Sequence, residues 1–408
     1  MNRSWKFAPL AASVLLSSCV YFNTFYNARK QFDDADRKRR EVEARPERNR
    51  RPQEYKPLYQ NAIRKASIVL DRHPNSKWVD DCLLLIGKAF YWREVYDEAA
   101  LKFQELAENF PESGLIDEAR YWRGLSLRAA SRIDAAREIF SEIGNTEGGA
   151  FVHESRIALA ELESDQENFQ AALDAYNRLL SDYEKEKKLR AQIWSGIGNA
   201  SFRLMRYDDA LEAYRNVLES GPTIGMNYLT RLQIGKTLEL RGESDEALKA
   251  YGEILKVKRL RVYEGEIRLK QANVYVSVGD LAAAEEIHRK IIDDFPRSEH
   301  SSAAYYEMGL IELQQRKNLS LAKEHFQNSR KEKSNSEAAG LVRIREKLLS
   351  DLKRYEKASR KKGLKGLEAS FNLAELYVFN LSEPDSAVAI YKRVLENADT
   401  THFAPKAL

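Results

Sequence analysis

Cysteine is nearly absent: Cys19 and Cys82 are the only two in 408 residues, so no disulfide framework can brace the fold. Glycine (19) and proline (10) are also sparse, which argues against a β-rich chain with many turns. The six histidines, at 73, 153, 288, 300, 325 and 402, include no pair at metal-ligand spacing on one helix. Neither sign of charge dominates. Lys and Arg number 66 and Asp and Glu 62, a formal charge of +4, so no global field for nucleic acid is implied.

What the chain does have is 43% hydrophobic and 31% charged residues, a globular and helix-friendly mixture. Its length exceeds what one compact core holds, so several domains or a repeat array are expected. The N-terminus carries Arg3 and Lys6, then ten apolar residues from Phe7, then Leu16-Ser17-Ser18-Cys19. This is the architecture of a signal peptide. A transmembrane helix needs about 20 apolar residues, and reaching Tyr26 would bury Ser17, Ser18, Asn23 and Thr24 besides Pro9. An ordinary cleaved signal leaves Cys19 without a role. The run resembles the lipobox of bacterial lipoprotein precursors. That resemblance implies cleavage before Cys19 and acylation of its sulfur and new amino group. Val20 in place of aspartate implies, by the same resemblance, sorting to the periplasmic face of the outer membrane.

Internal periodicity is the strongest signal. A small residue is followed 12 positions on by alanine and 4 further by an aromatic or similar residue: Gly87/Ala99/Phe103, Gly124/Ala136/Phe140, Ala160/Ala172/Tyr176, Gly198/Ala210/Tyr214, Gly235/Ala247/Tyr251 and Ala272/Ala284/His288. Successive anchors lie 37, 36, 38, 37 and 37 residues apart. Gly309/Ala322/Phe326 and Ala374/Ala387/Tyr391 carry one extra residue, expected in the inner turn. Small facing residues let two antiparallel helices pack closely, and the larger ones, such as Phe103 and Tyr214, are expected to fill the seam with the next repeat. Pro111, Pro222 and Pro296 stop second helices.

The pattern is similar to the tetratricopeptide repeat and best matched from Trp194 to Tyr214, although Arg123 and Gln271 occupy a slot usually held by leucine. The fold implied is an all-α solenoid of helical hairpins with about eight to nine repeats. Within that family, residues 73–113, with closing His73-Pro74-Asn75-Ser76 and Phe110-Pro111-Glu112-Ser113, resemble the repeats of BamD-type outer-membrane lipoproteins. The organisation expected is a signal peptide over 1–18, a lipidated N-terminal helical pair over 19–74 and about seven repeats over 75–332. A basic helical insertion over 333–365 and a last repeat with its tail over 366–408 follow. In the first segment Tyr21, Phe25, Ala28, Phe32, Ala35 and Val42 recur at helical spacing. In the insertion Leu341, Ile344, Leu348, Leu352 and Tyr355 form the expected buried stripe.

Solenoids of this kind offer an extended concave surface, lined by the first helix of each repeat. In this register its outward residues are Lys88, Tyr91, Trp92, Arg128, Asn199, Phe202, Arg203, Lys236, Glu239 and Asn273. They are the candidate partner-binding positions for a protein or an extended peptide, with core packing the alternative for Trp92 and Phe202. No catalytic constellation is present. Ile234-Gly235-Lys236-Thr237 resembles the tail of a phosphate loop, but Thr230 stands where its first glycine belongs. His288 reads as a packed seam residue, and Cys82, in DDCLLLIGKAF, as a small buried hydrophobe. No enzyme, cofactor, metal, small-molecule substrate or nucleic-acid partner is therefore expected. The basic runs over 36–51 and 353–365 read first as solvated faces, the functional reading being anionic headgroups or an acidic partner. A lipid-anchored periplasmic scaffold that binds other proteins follows, either in outer-membrane β-barrel assembly or in secretion, motility or polysaccharide export.

Overall fold

The 37-residue period becomes a succession of α-helical hairpins. The computed structural model describes residues 8–43, 51–183, 186–381 and 383–396, with residues 8–22 and 188 described by backbone alone. The described residues hold nineteen α-helices and no strand. They divide into two compact units, residues 1–241 and 242–408.

The first unit runs α1 (Ala8–Glu43), α2 (Lys56–Arg72), α3 (Val79–Trp92), α4 (Tyr96–Asn109), α5 (Ile116–Ala129), α6 (Ile133–Gly144), α7 (Val152–Asp165), α8 (Phe169–Asp182), α9 (Lys187–Arg203), α10 (Tyr207–Glu219) and α11 (Ile224–Leu240). The second runs α12 (Ser244–Lys256), α13 (Glu264–Ser277), α14 (Leu281–Asp294), α15 (Glu299–Leu310), α16 (Leu319–Glu332), α17 (Glu337–Ser359), α18 (Leu364–Phe379) and α19 (Pro384–Glu396). The unit boundary falls inside the repeat anchored by Gly235, where the sequence period continues unbroken. Nothing in the spacing marks it.

The hairpin core is built on glycine and an aromatic ring. A Cβ at Gly87 would lie 2.5 Å from the Phe103 ring, at Gly124 2.6 Å from Phe140, and at Gly309 2.5 Å from Phe326. Each ring thus lies on the glycine of its own hairpin and, as expected, also fills the seam with the next repeat, as Phe103 does against Ala119 and Trp122 of α5. Tyr176, whose own first helix carries Ala160 in the glycine slot, shares a core cluster with Ala160 and lies against Gly196 of the following repeat. Arg123 and Gln271, which depart from the repeat pattern, are accommodated by polar contacts. The Arg123 guanidinium donates to Gln104 Oε1 at 3.1 Å, and the Gln271 amide donates to the Leu248 carbonyl at 3.4 Å.

The inner turns are as regular as the packing. Glu94, Ser131, Glu167, Met205, Gly242, Gly279 and Lys317 all have positive φ. In the α3–α4 turn the Val95 amide donates to the Phe90 carbonyl and the Glu94 amide to the Tyr91 carbonyl, closing a Schellman motif. The extra residue after Gly309 does not lengthen the turn. It is taken up as a π-helical turn over Ile311–Gln315, and the closing bond widens by one residue, from Asn318 to Glu312.

At the N-terminal end Phe25, Ala28, Ala35 and Val42 of α1 bury against Tyr59, Ala62, Ile63, Ala66 and Val69 of α2. In the insertion, α17 is rotated relative to expectation. Leu341 and Ile344 are exposed (40% and 62%), while Ala338, Val342, Leu348, Leu349 and Leu352 are buried. The observed stripe runs 338, 342, 345, 349, 352. Its middle position is Arg345, which donates to the Tyr306 hydroxyl at 3.4 Å, so a polar residue sits where apolar periodicity looked for a hydrophobe.

Candidate functional site

Seams between neighbouring repeats of the first unit gather the candidate positions, because side chains four residues apart on α3 and α5 share a helix face. The Tyr91 ring lies 5.1 Å from Trp92, 5.5 Å from Tyr96 and 5.1 Å from Trp122, all edge-on, and Trp92 and Trp122 are 5.9 Å apart. Cations frame these rings. The Arg39 guanidinium lies 3.7 Å over Trp92, and the Lys88 ammonium is 5.5 Å from the Trp122 ring. Lys88 also binds Glu118 at 2.5 Å. Arg128, one repeat on, holds Glu161 and, at 2.6 Å, Asp165, both on α7.

Burial and charge tune these groups. Burial pushes the Tyr91 hydroxyl above its usual pKa, with Tyr96 adding to the shift. Burial works against the charge on Arg128, but its hydrogen bond to Asp165 and the field of Glu161 more than offset it and raise its pKa. Arg39 is buried on α1, where it meets Asp36 at 2.6 Å, Glu43 at 2.5 Å and the Tyr59 hydroxyl at 3.2 Å. Desolvation opposes its charge, but these partners outweigh it and raise its pKa. Asp36 is likewise pushed up by burial but held below its ordinary value on balance by Arg39 and Arg40.

A second group forms at α9 and α11. The Lys236 ammonium lies 5.1 Å from the Phe202 ring. The Arg203 guanidinium lies 4.4 Å over Phe169 and 3.5 Å from Glu167. Asn199 accepts from the Tyr214 hydroxyl at 3.0 Å. Glu239 lies exposed on α11, and Asn273 is exposed on α13 in the second unit. The candidates therefore sort into inter-repeat clamps, such as Arg128, and half-buried aromatic faces, such as Trp92.

Trp122, Arg39, Glu118, Glu161 and Asp165 were missed. Glu161 and Asp165 stand one and five residues after Ala160, the slots that Lys88 and Trp92 hold after Gly87. Reading those slots in every repeat finds them. In the described part of the basic run after Asp36, Arg37 pairs with Asp34, Lys38 with Glu41 and Glu54, and Arg40 with Asp36, with Arg37 and Arg40 remaining exposed.

His288 is fully buried on α14, and neither ring nitrogen has a hydrogen-bond partner. Burial lowers its pKa to about 4. Cys82 is fully buried too, and burial, with the neighbouring Asp81 and Asp80 charges, pushes its thiol up to about 12. Among the described residues no group of three His, Cys, Asp or Glu is placed to hold a metal ion. Likewise among them, no helix is long and apolar enough to cross a membrane. Helix α1 runs through residue 19 without a break, but the Cys19 side chain lies outside the described residues, as do residues 1–7 and 397–408.

Stacked helical hairpins with an aromatic and charged seam define a tetratricopeptide-type repeat protein. The outer membrane lipoprotein family YfiO matches residues 53–259, about half of the chain, and the chain belongs to that family. Among solved structures it is similar to a tetratricopeptide repeat protein from Parabacteroides merdae, at 16% identity over 64% of this chain and 96% of that one, with a TM-score of 0.42. YrrB, described as a tetratricopeptide repeat protein with an unusual peptide-binding site, is 18% identical over 47% of this chain and 91% of its own, with a TM-score of 0.32. Comparison with curated proteins gives no match.

Proposed function

We propose that this chain is a lipid-anchored scaffold on the periplasmic face of the outer membrane, and that it binds an extended segment of another envelope protein across α3 and α5. The observation that carries this is the cluster of Tyr91, Trp92, Tyr96 and Trp122, which are half-buried and framed by Lys88, Arg39 and Arg128. Large rigid rings with a polar edge supply contact area at low entropic cost and dominate many interfaces. In this reading Trp92 and Tyr91 are the anchors, while Lys88 and Arg128, already tied to Glu118, Glu161 and Asp165, fix the spacing of the repeats. Phe202, Arg203, Asn199, Lys236 and Glu239 extend the surface along the first unit. Asn273 belongs to the second unit, outside the first contact.

Membership of an outer membrane lipoprotein family supports acylation at Cys19 and a part in the assembly of β-barrel proteins. A second reading, a scaffold of another envelope machine, is favoured by one observation: the family match stops at residue 259, leaving α13 to α19 beyond it. A photo-crosslinking amino acid at Trp92 or Trp122 in living cells, followed by mass spectrometry, decides between them. Barrel assembly predicts adducts with a β-barrel insertase or its substrates and loss of outer-membrane barrels on depletion. A different stable partner with normal barrel levels establishes the second reading. Absence of any adduct at both positions, with adducts at an opposite surface, refutes the aromatic surface itself. For the anchor, a Cys19→Ser chain that still incorporates labelled palmitate and fractionates with membranes refutes acylation there.

A further inference from the structure

The basic insertion is left without a role by the partner surface of the first unit, and its end has a different character from the other basic run. Residues 353–365 hold seven cations, Lys353, Arg354, Lys357, Arg360, Lys361, Lys362 and Lys365, against the single carboxylate of Glu356. Only Arg354 forms an ion pair among the described residues, with Asp351 at 2.9 Å. In the described part of the run after Asp36, by contrast, Arg37, Lys38, Arg39 and Arg40 each pair with an acid. Lysine and arginine side chains left without carboxylates at this density repel one another, so the arrangement costs stability unless an anion relieves it.

Three of these cations line one cavity. Where α17 gives way to α18, Arg360, Lys361 and Lys362 line a cleft of about 730 Å³ together with Arg393 from α19, and among the described residues Glu356 is its one acid. Buried Leu373, Ile390 and Val394 form its apolar part. Leu364, the first residue of α18, is 55% exposed amid the lysines. The volume falls in the range of small-ligand sites, roughly 300–1,000 Å³. A compact cluster of positive charge at one cleft suits a ligand that concentrates charge in one group. An extended acidic peptide spaces its carboxylates along the chain instead. A phosphate carries up to two charges and several acceptor oxygens at one point, and both Arg and Lys bind it.

We propose that the cleft between the end of α17 and α19 binds a phosphate group carried on a partly apolar ligand. The phosphate belongs either to a lipid headgroup or to a free phosphate compound, and the shared recognition is by Arg360, Lys361 and Lys362.

The test uses the full chain carrying Cys19→Ser, so that no acyl group of its own drives vesicle binding. Isothermal titration with inorganic pyrophosphate and sedimentation with vesicles of phosphatidylglycerol against phosphatidylcholine are the two arms. Arg360→Glu/Lys361→Glu/Lys362→Glu is compared with a charge-matched control, Lys249→Glu/Lys256→Glu/Lys258→Glu, which reverses three exposed cations elsewhere in the same unit. Circular dichroism checks that both variants keep their helices. The expected result is saturable binding in at least one arm, reduced at least tenfold by the site variant and less than twofold by the control. Pyrophosphate binding identifies a free phosphate ligand. Binding only to phosphatidylglycerol vesicles identifies the headgroup. No binding in either arm at low salt, equal losses in both variants, or binding confined to a polyglutamate peptide each overturns the proposal.

Discussion

Placing a methyl group on Gly87 isolates the packing device on which the repeats rest. The added Cβ would lie 2.5, 2.7 and 2.8 Å from three carbons of the Phe103 ring, about 1 Å inside an ordinary carbon contact of roughly 3.5–4.0 Å. Phe103 is fully buried, with Trp122 stacked behind it at 6.4 Å, so the ring has no free space to retreat into. Overpacking of this kind costs about 1–3 kcal/mol. Against it stands the better helix propensity of alanine, roughly 1 kcal/mol. Gly87→Ala should therefore destabilise the first unit by up to about 2 kcal/mol, with about 1 kcal/mol at the centre of that range. Gly225→Ala in α11, where no atom lies within 4 Å, should be neutral or slightly stabilising. Phe103→Leu removes the ring carbons that the new methyl meets, so Gly87→Ala/Phe103→Leu should cost at least about 1 kcal/mol less than the sum of the single changes. Urea unfolding followed by tryptophan fluorescence and circular dichroism measures all four. If Gly87→Ala is as stable as the parent, or if the double variant is additive, the ring does not depend on the glycine and the packing argument fails.

Three further outcomes follow from single residues. Above pH 6.5 His288 is neutral in both folded and unfolded chains; between 6.5 and about 4 the unfolded chain takes a proton that the buried ring refuses. Stability attributable to it should fall through that window, by up to about 3 kcal/mol at its lower end, and His288→Phe, matching the ring of other repeats, should flatten the dependence. Equal slopes for parent and variant between pH 4 and 6.5 would falsify this. Met205 has φ +60° and is 75% exposed, so Met205→Gly relieves left-handed strain of about 1–2 kcal/mol at an entropic cost of about 0.5–1. A urea midpoint below the parent's refutes that balance. The Cys82 thiol should react with iodoacetamide only when α3 opens, and labelling of the native chain at the rate of a free peptide would contradict its burial.

The sequence period revealed the hairpins because each one needs the same small residue, alanine and ring at fixed positions, and those needs are local. What stayed hidden depends on contacts between repeats or on backbone detail. The π-turn at Ile311–Gln315 inserts its residue inside a helix, which one extra position cannot distinguish from a longer loop. The α17 stripe passes through Arg345, whose polarity breaks the apolar pattern although its guanidinium reaches Tyr306.

The aromatic surface shows the same division more sharply. Trp92 could be placed from its offset after Gly87, but its neighbours Arg39 and Trp122 come from α1 and α5, more than fifty residues before and thirty after it. Neither offset recurs along the chain, since α1 precedes the regular repeats and Trp122 takes a slot that other repeats fill differently. Repetition encodes the framework, and the departures from repetition encode what is particular to one seam. Arg39 unites both roles. Asp36 and Glu43 on its own helix fix its guanidinium, its bond to the Tyr59 hydroxyl ties α1 to α2, and its face covers Trp92 on α3, so the helix that runs on from Cys19 is bound directly to the surface proposed for the partner.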